Sequence, residues 1–187
     1  MNDNTKETII IEALKLFNEF GFHGTSTSKI AKAAGVSNGA LFNRFKTKDE
    51  LINGIYMYVK LHFKQYIDSK FDESLETEEA VKSLWKSTVK WGIENPEYLK
   101  FQGQFNNSPY VNCVNKETSK DALQVACERK NLLKKNREIS DEDFNLLVIC
   151  MAGATNALSF HLINNEVDDI DVHMDSVFEL LFKGILK

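Results

Sequence analysis

The sequence predicts an all-α protein of about nine helices. Three observations favour this fold class. Apolar residues recur at helical spacing along most of the 187-residue chain, alternating apolar and polar runs are scarce, and the only prolines are Pro96 and Pro109. A hydrophobic content of 43% and a charged content of 27% are ordinary for a globular protein. The chain therefore has enough length and apolar surface to bury a core, and disorder is not expected.

The most informative stretch predicts two short helices joined by a tight turn. Ser26 or Thr27 caps the first of them, and Ser37 caps the second, which covers about residues 38–44. Between them, Gly35 stands where the chain turns sharply, most simply in a left-handed conformation that a larger side chain resists. Because the connection is only about three or four residues long, the pair has the spacing of a helix-turn-helix.

The other predicted helices begin and end at recognisable signals. Gly21 ends the first helix, and Thr47 with Glu50 forms a capping box that opens a long fourth helix. A helix of about twenty residues, at ~1.5 Å per residue, is long enough to lead from the first module into the next. Besides the helix-turn-helix, the predicted helices cover about residues 5–20, 48–70, 78–94, 97–105, 111–135, 140–164 and 172–186.

Positive charge is concentrated around the helix-turn-helix. The chain carries a formal charge of −4 at pH 7, yet the segment from Phe20 to Lys48 has no acidic residue and carries +5. The rest of the chain therefore carries −9. A basic segment on an acidic protein favours one local surface that binds a polyanion, although a charged run is also typical of an ordinary solvated face.

The second helix of such a motif enters the major groove of DNA while the first braces against the backbone. Its outward residues here are small or polar, so they permit close approach to base edges. Arg44 suits guanine, and Asn38 or Asn43 suits adenine. Ala40 suits a thymine methyl, as does Phe42, which also suits stacking on a sugar. With the flanking groups that suit phosphates, the candidate DNA-contacting residues are Thr27, Ser28, Lys29, Ser37, Asn38, Gly39, Ala40, Phe42, Asn43, Arg44, Lys46 and Lys48.

This stretch resembles the TetR family of bacterial transcriptional regulators. The signature of that family is a helix-turn-helix followed directly by a helix that starts F-x-x-K-x-x-L. The resemblance covers about the first sixty residues, with a helical remainder of suitable length. A three-helix core that uses Gly35 only as a turn is the alternative. The matching positions are STSKIA (Ser26–Ala31), AGVS (Ala34–Ser37), Gly39, Leu41, Phe45, Lys48 and Leu51.

The chain departs from the family pattern at two places in the third helix. Phe42 stands where the family commonly has a tyrosine that bonds a phosphate, and phenylalanine has no hydroxyl for that bond. The family also commonly has His or Tyr near Arg44, so the role of Arg44 rests on its own chemistry. Both departures concern which DNA sequence is read.

The resemblance implies a domain organisation and a function. It implies a DNA-binding domain over residues 1–47, and a domain over residues 48–187 that binds a small ligand and dimerises through its last two helices. The small residues of MAGATNA (Met151–Ala157) and Gly184 allow close helix approach, as in a four-helix interface with C2 symmetry, although the same helices also suit burial within one subunit. The implied protein is a homodimeric repressor that a small ligand releases from a pseudo-palindromic operator.

Aromatic side chains on the later helices are the candidates for the ligand site. With polar neighbours such as Gln102 and Asn106, they suit an apolar or amphipathic molecule, but the same composition is typical of a core. The candidate ligand-contacting residues are Phe63, Tyr66, Trp85, Phe101, Phe105, Tyr110 and Phe144.

Catalysis, metal binding and cofactors find no support in the sequence. The four histidines (His23, His62, His161 and His173) are isolated along the chain, and no nucleophile–base pattern or phosphate-binding glycine loop is present. The three cysteines (Cys113, Cys127 and Cys150) lack the spacing of a zinc site or a disulfide framework. With neither a signal peptide nor an apolar run of about twenty residues, we expect a cytoplasmic protein.

Two other functions remain open at this point. One is a DNA-bound architectural or adaptor protein that answers to a protein partner and has no small-molecule site; a filled core would favour it. The other is a helical enzyme with a DNA-binding head, which would need titratable groups clustered around a cavity.

Overall fold

A computed structural model of the chain describes residues 3–72, 74–75, 77–113 and 140–182. In these ranges the regular elements are helices, and none is a strand. The α-helices are α1 (Asp3–Gly24), α2 (Thr27–Ala33), α3 (Asn38–Arg44), α4 (Lys48–Lys70), α5 (Thr77–Glu94), α6 (Pro96–Asn106), α7 (Asp141–Asn164) and α8 (Ile170–Phe182); a short 3-10 helix covers Pro109–Cys113. The predicted all-α fold is confirmed.

Most helix boundaries agree with the sequence prediction to within two residues, and those of α3 and α4 agree at both ends. The predicted helix over residues 111–135 begins in the 3-10 helix, and its remainder lies outside the described residues, as does the end of the last predicted helix beyond residue 182. No helix within the described ranges is both long enough and apolar enough to cross a membrane.

The predicted end of the first helix at Gly21 is a break inside α1. Gly21 has φ 71° and ψ 171°, a conformation that only glycine adopts readily, and one more helical turn follows it to Gly24. The hydroxyl of the fully buried Thr25 lies 3.1 Å from the carbonyl oxygen of Leu16 and 3.0 Å from that of Gly21. This hydroxyl fixes the bend from which the chain enters α2.

The described residues group into two units by their contacts. The first comprises Met1–His62 and Glu97–Ser119, so α6 belongs with the helix-turn-helix although it lies far along the chain. The core of this unit is built from Ile9, Ile10, Ala13, Leu14, Phe17, Phe22, Ile30, Ala31, Leu41, Phe45, Leu51, Ile52, Ile55, Tyr56, Val59, Leu99, Phe101 and Phe105. Because α4 contributes residues to both units, the predicted domain boundary between residues 47 and 48 stays a prediction.

The second unit comprises Phe63–Pro96 and Lys120–Lys187. Its described core is formed by α5, α7 and α8 and contains Val81, Trp85, Val89, Leu158, Leu162, Met174 and Phe178. The indole N–H of Trp85 donates to the carbonyl of Met174 at 3.3 Å, and the buried hydroxyl of Ser159 donates to the carbonyl of Val89 at 3.3 Å. Both bonds satisfy polar groups that would otherwise be costly in this core.

A ladder of ion pairs joins α5 to α8 at the surface of the second unit. Asp175 lies 2.9 Å from Lys82 and 2.8 Å from Lys86, and Asp171 lies 3.3 Å from both Lys86 and Lys90. Hydrogen bonds from these lysines hold the pKa of both aspartates below the ordinary value. Since the charges recur every four residues on each helix, the ladder fixes the register of α8 on α5.

Candidate DNA-binding surface

The turn between α2 and α3 is a left-handed glycine cap. Gly35 has φ 66°, its N–H donates to the carbonyl of Lys32 at 3.2 Å, and the N–H of Val36 donates to the carbonyl of Ala31 at 2.9 Å. This pair of bonds is the Schellman motif, which satisfies the last carbonyls of α2 and reverses the chain. The left-handed conformation predicted for Gly35 is confirmed.

Serine side chains begin both helices of the motif. The Ser26 Oγ accepts from the N–H of Lys29 at 3.2 Å, and the Ser37 Oγ accepts from the N–H of Ala40 at 3.1 Å. Of the two caps considered for α2, the structure therefore selects Ser26. Removing such a cap typically costs about 0.5–2 kcal/mol, so these serines contribute to the stability of short helices that have few other contacts.

Leu41 is the one residue of the third helix that is buried in the core of its unit. Leu41 is fully buried, and Phe45, directly after the helix, is buried as well. Phe42 exposes 41% of its surface, a large fraction for an aromatic residue on a short helix. The side chains and glycine that point away from the core are Asn38, Gly39, Ala40, Phe42, Asn43 and Arg44. The helix therefore presents a nearly complete outward face.

The candidate phosphate-binding groups differ in how they are held. The Lys29 ammonium lies 3.0 Å from the centroid of the Phe20 ring, whereas Lys46 is exposed. Lys48 is half-buried, and its ammonium donates to the carbonyl of Phe22. The remaining hydroxyl candidates are Thr27, half-buried, and Ser28, exposed at the start of α2. Since an ammonium has three donors, the internal bond of Lys48 leaves donors for a phosphate, and that contact stays a prediction.

The start of α4 carries the predicted capping residues with one difference in their bonds. The Thr47 Oγ1 accepts from the N–H of Glu50 at 3.0 Å, as a capping box requires. The Glu50 Oε2 accepts at 2.7 Å from the N–H of Lys46, one residue before the position that the standard box uses. The carboxylate therefore fixes the backbone of Lys46 between α3 and α4.

A glycine lets α4 approach the residue that closes α3. A Cβ atom added to Gly54 would lie 2.8 Å from Cε1 of Phe45, which is closer than carbon atoms pack. Because Phe45 is buried, its ring has little room to move. Nothing in the sequence indicates this contact, because helical periodicity does not show which residue of another element lies against Gly54.

Phe22 connects α1 to α6, the 3-10 helix and the start of α4. Its ring makes edge-on contacts with Phe17, Phe101 and Tyr110, at centroid distances of 5.2, 5.7 and 5.3 Å. Its carbonyl accepts from Lys48 at the start of α4. The residue after the Gly21 break is therefore the meeting point of four elements of the first unit.

Asn18 makes a second connection between α1 and α6. Its side chain is buried, and the Nδ2 group donates to the carbonyl of Glu97 at 2.9 Å and to the Glu97 Oε2 at 2.7 Å. The sequence analysis missed this residue. The available signal was its position four residues after Leu14, on the inward stripe of α1, where an amide requires a partner.

The structure does not bring the seven ligand candidates together in one unit. Phe63, Tyr66 and Trp85 lie in the second unit, Phe101, Phe105 and Tyr110 lie in the first, and the side chain of Phe144 lies outside the described residues. Trp85, Phe101 and Phe105 are fully buried and pack in the cores of their own units. A ligand contact for any of the seven stays a prediction.

Two of the histidines are closer than their separation in sequence suggested. The rings of His161 and His173 have centroids 6.3 Å apart, with the Asn165 amide at one ring and the Asp169 carbonyl at the other. Among the described residues, no three His, Cys, Asp or Glu side chains are arranged to hold a metal ion. Cys150 is exposed as a free thiol.

Comparison with known proteins places this surface in a family. Residues 9–55 match the model of the bacterial regulatory proteins of the tetR family. The chain is 26% identical over 184 residues to an HTH-type transcriptional regulator of Haemophilus influenzae, a match that covers 97% of this chain and 95% of that protein. It is 28% identical over 81 residues to the nucleoid occlusion factor SlmA of Haemophilus ducreyi, covering 43% of this chain and 40% of that protein.

Among solved structures, a TetR family transcription regulator from Shewanella sp. PV-4 is similar to this chain. The TM-score is 0.83 at 26% identity, over 96% of this chain and 97% of that one. The fold and the helix-turn-helix together define a DNA-binding transcriptional regulator. Residues 9–55, which include the helix-turn-helix, match the TetR family, and the chain as a whole has a fold similar to that of the Shewanella regulator.

Proposed function

We propose that this regulator is a homodimeric repressor that a small apolar or amphipathic ligand releases from a pseudo-palindromic operator. The observation that carries the proposal is the outward face of α3. In that helix Leu41 is buried in the core, Ala40 is half-buried and the other residues are exposed, in a segment with no acidic residue. Such a surface suits the major groove of DNA better than it suits internal packing.

Base reading is assigned to three kinds of side chain on this face. The Arg44 guanidinium suits the acceptors of guanine, and Asn38 or Asn43 suits the edge of adenine. The exposed ring of Phe42 suits a thymine methyl, since it has no hydroxyl to bind a phosphate. Lys29, Lys46 and Lys48, with the hydroxyls at the start of α2, are assigned to the phosphates, whose contacts position the protein without reading the sequence.

The dimer is assigned to α7 and α8 because each carries apolar side chains that face away from the core. On α7, Leu146, Ile149, Gly153 and Phe160 lie on one helical stripe, and Ile149 is 66% exposed. On α8, Leu180 is 84% exposed. An exposed apolar stripe of this size is typical of an interface, and a second copy related by C2 symmetry would cover it with the same stripe.

The contacts of the first unit supply a route by which a ligand would act on the DNA surface. A ligand that displaces α4 or α6 would act on Phe22 through Lys48 or Phe101, and on α1 through the Asn18–Glu97 bonds. Because a ligand weakens DNA binding only by its preference for the non-binding state, we expect a coupling of about 1–3 kcal/mol.

A salt-titrated binding experiment on DNA selected from a random pool tests the DNA-reading part. We expect a palindrome whose half-sites are ~34–36 Å apart or a multiple of that spacing, with log K falling steeply as log salt rises. Arg44→Ala is the matched variant, and it should cost about 1–3 kcal/mol and relax preference at one base step. If the pool yields no enriched sequence, the protein is not a sequence reader as proposed.

The release part is tested on the selected operator. Apolar and amphipathic small molecules are screened for those that raise the Kd for DNA at fixed salt. A ligand that binds the protein and strengthens DNA binding contradicts release and makes the ligand a corepressor.

The similarity to a nucleoid occlusion factor over 81 residues favours a second candidate, a DNA-bound architectural or adaptor protein. A DNA affinity that responds to a purified protein partner, and to none of the small molecules, would select this alternative.

A further inference from the structure

Lys60 on α4 is a half-buried ammonium that faces an aromatic ring instead of a carboxylate. Its Nζ lies 4.8 Å from the centroid of the Tyr56 ring, one turn earlier on the helix. Among the residues that the structure describes, none provides a carboxylate partner for it, and burial is the cause that lowers its pKa, to about 8. A charged group in this position costs free energy unless something compensates it.

The surroundings of Lys60 on α4 are aromatic. Tyr56 is buried, and its ring stacks on that of the fully buried Phe105 from α6 with centroids 4.1 Å apart and planes 14° apart. The Lys60 ammonium lies over the same Tyr56 ring, so this ring has both an aromatic and a cationic neighbour. In the part of the chain that the structure describes, the arrangement combines an aromatic cluster with a positive charge that no carboxylate compensates.

A second unsatisfied polar group lies on the same stripe of α4. The Oδ1 atom of Asn53 is buried and has no hydrogen-bond partner among the residues that the structure describes. Residues 53, 56 and 60 follow the i, i+3, i+7 spacing of one helix face, and at ~1.5 Å per residue Asn53 and Lys60 are separated by about 10 Å along the axis. Two incompletely satisfied polar residues on one stripe, with an aromatic residue between them, are what a buried amphipathic ligand would complete.

We propose that Lys60 binds the anionic group of the effector, so that the effector is an organic anion with an apolar body. The inference rests on the proposed function, because it names the class of ligand that controls the regulator. The anion lies at the Lys60 ammonium, and a donor on the ligand reaches Asn53. A neutral ligand of the same shape leaves the ammonium uncompensated and binds less tightly.

The test compares two fluorescent probes with one skeleton. The anion is 1-anilinonaphthalene-8-sulfonate and its neutral counterpart is N-phenyl-1-naphthylamine. We expect the unaltered protein to bind one sulfonate probe per chain. In Lys60→Met its Kd should rise by about tenfold or more, whereas the Kd of the neutral probe should stay within about twofold. Lys60→Arg should retain most of the binding. The matched control is Lys64→Met, because Lys64 already pairs with Asp68 at 3.0 Å. This substitution should leave both Kd values unchanged.

A measurement on the unaltered protein gives an independent answer. As the pH rises from about 7 to about 9.5, Lys60 loses its proton and the Kd of the sulfonate probe should rise, whereas that of the neutral probe should not. Tyr56, the titratable group beside it, stays neutral over this range because burial raises its pKa. A flat profile, or an unchanged sulfonate Kd in Lys60→Met, overturns the role of Lys60 and leaves ligand control intact. If neither probe binds the unaltered protein, this inference fails, and the screen of small molecules on the operator still decides ligand control.

Discussion

The Asn18 amide of α1 donates two hydrogen bonds to Glu97, at 2.9 Å to its carbonyl and at 2.7 Å to its carboxylate. These bonds join residues 79 positions apart, of which Asn18 is buried and Glu97 is exposed. They attach the start of α6 to the helix that supports the helix-turn-helix. Together with the ring of Phe22 against Phe101, they hold α6 against α1, the helix that packs on α2.

Asn18→Ala should lower the free energy of unfolding by about 1–3 kcal/mol. The substitution removes both donors and leaves the Glu97 groups facing a partly desolvated gap. Urea denaturation of the full chain measures the loss. Asn107→Ala is the control, because its amide donates to the Gly103 carbonyl on the exposed side of α6 and should change stability by less than about 0.5 kcal/mol. Equal effects of the two substitutions would contradict the buried role of Asn18.

Gly54→Ala should destabilise the first unit by about 1–3 kcal/mol, because the new methyl group meets the buried ring of Phe45. Gly103→Ala is the matched helical glycine, since nothing lies within 4 Å of its Cβ position. That substitution should instead stabilise the protein by up to about 1 kcal/mol. Thermal denaturation of the two variants separates the effects by sign, and a stable Gly54→Ala would show that Phe45 moves freely.

The features that the sequence predicted well are those with local causes. The bounds of α3 and α4 follow from Ser37 and Thr47, whose side chains cap the backbone a few residues ahead, and the Gly35 turn follows from the conformation of one residue. The outward face of α3 was equally local, because one apolar residue, Leu41, sets its orientation.

The features that the sequence did not predict depend on residues brought together from distant parts of the chain. Nothing near Asn18 indicates Glu97 as its partner, and nothing near Lys60 indicates that its ammonium lacks a carboxylate. The aromatic candidates show the same limit. Trp85 and Phe101 have the composition of a pocket, but which rings share a unit is decided by helix packing and not by helical periodicity.

Comparison of Lys46→Ala with Lys48→Ala should separate the contribution of each lysine to phosphate binding from its contribution to the stability of the fold. Each should weaken binding to all DNA sequences and reduce the salt slope of log K by about 1. Only Lys48→Ala should also lower the unfolding free energy, because its ammonium bonds the Phe22 carbonyl whereas Lys46 is exposed. Binding isotherms at several salt concentrations and urea denaturation measure the two effects. An unchanged salt slope in Lys48→Ala would mean that this lysine bonds only the Phe22 carbonyl of α1 and does not bind a phosphate.

The depressed pKa of Lys60 makes stability depend on pH. The pKa of Lys60 is about 8 in the folded protein and 10.5 for an ordinary lysine. Between these values the unfolded chain binds more protons, so the unfolding free energy rises with pH. Lys60→Met should remove this rise and increase stability at pH 7, where the charge is fully present. Urea midpoints at about pH 7, 8 and 9 test this. Lys64→Met serves as the control. A Lys60→Met protein that is less stable than the unaltered protein at pH 7 would contradict the free-energy cost of burying the Lys60 charge.

Leu180→Glu should convert the protein from dimer to monomer if α7 and α8 form the interface. Leu180 is 84% exposed in the isolated chain, so the substitution leaves the fold of one subunit intact while it places a charge in an apolar contact. Light scattering coupled to size exclusion measures the mass, and the palindromic operator should then be bound far more weakly. Leu61→Glu, which alters a 56% exposed leucine on α4, should remain dimeric. A dimeric Leu180→Glu protein would place the interface elsewhere.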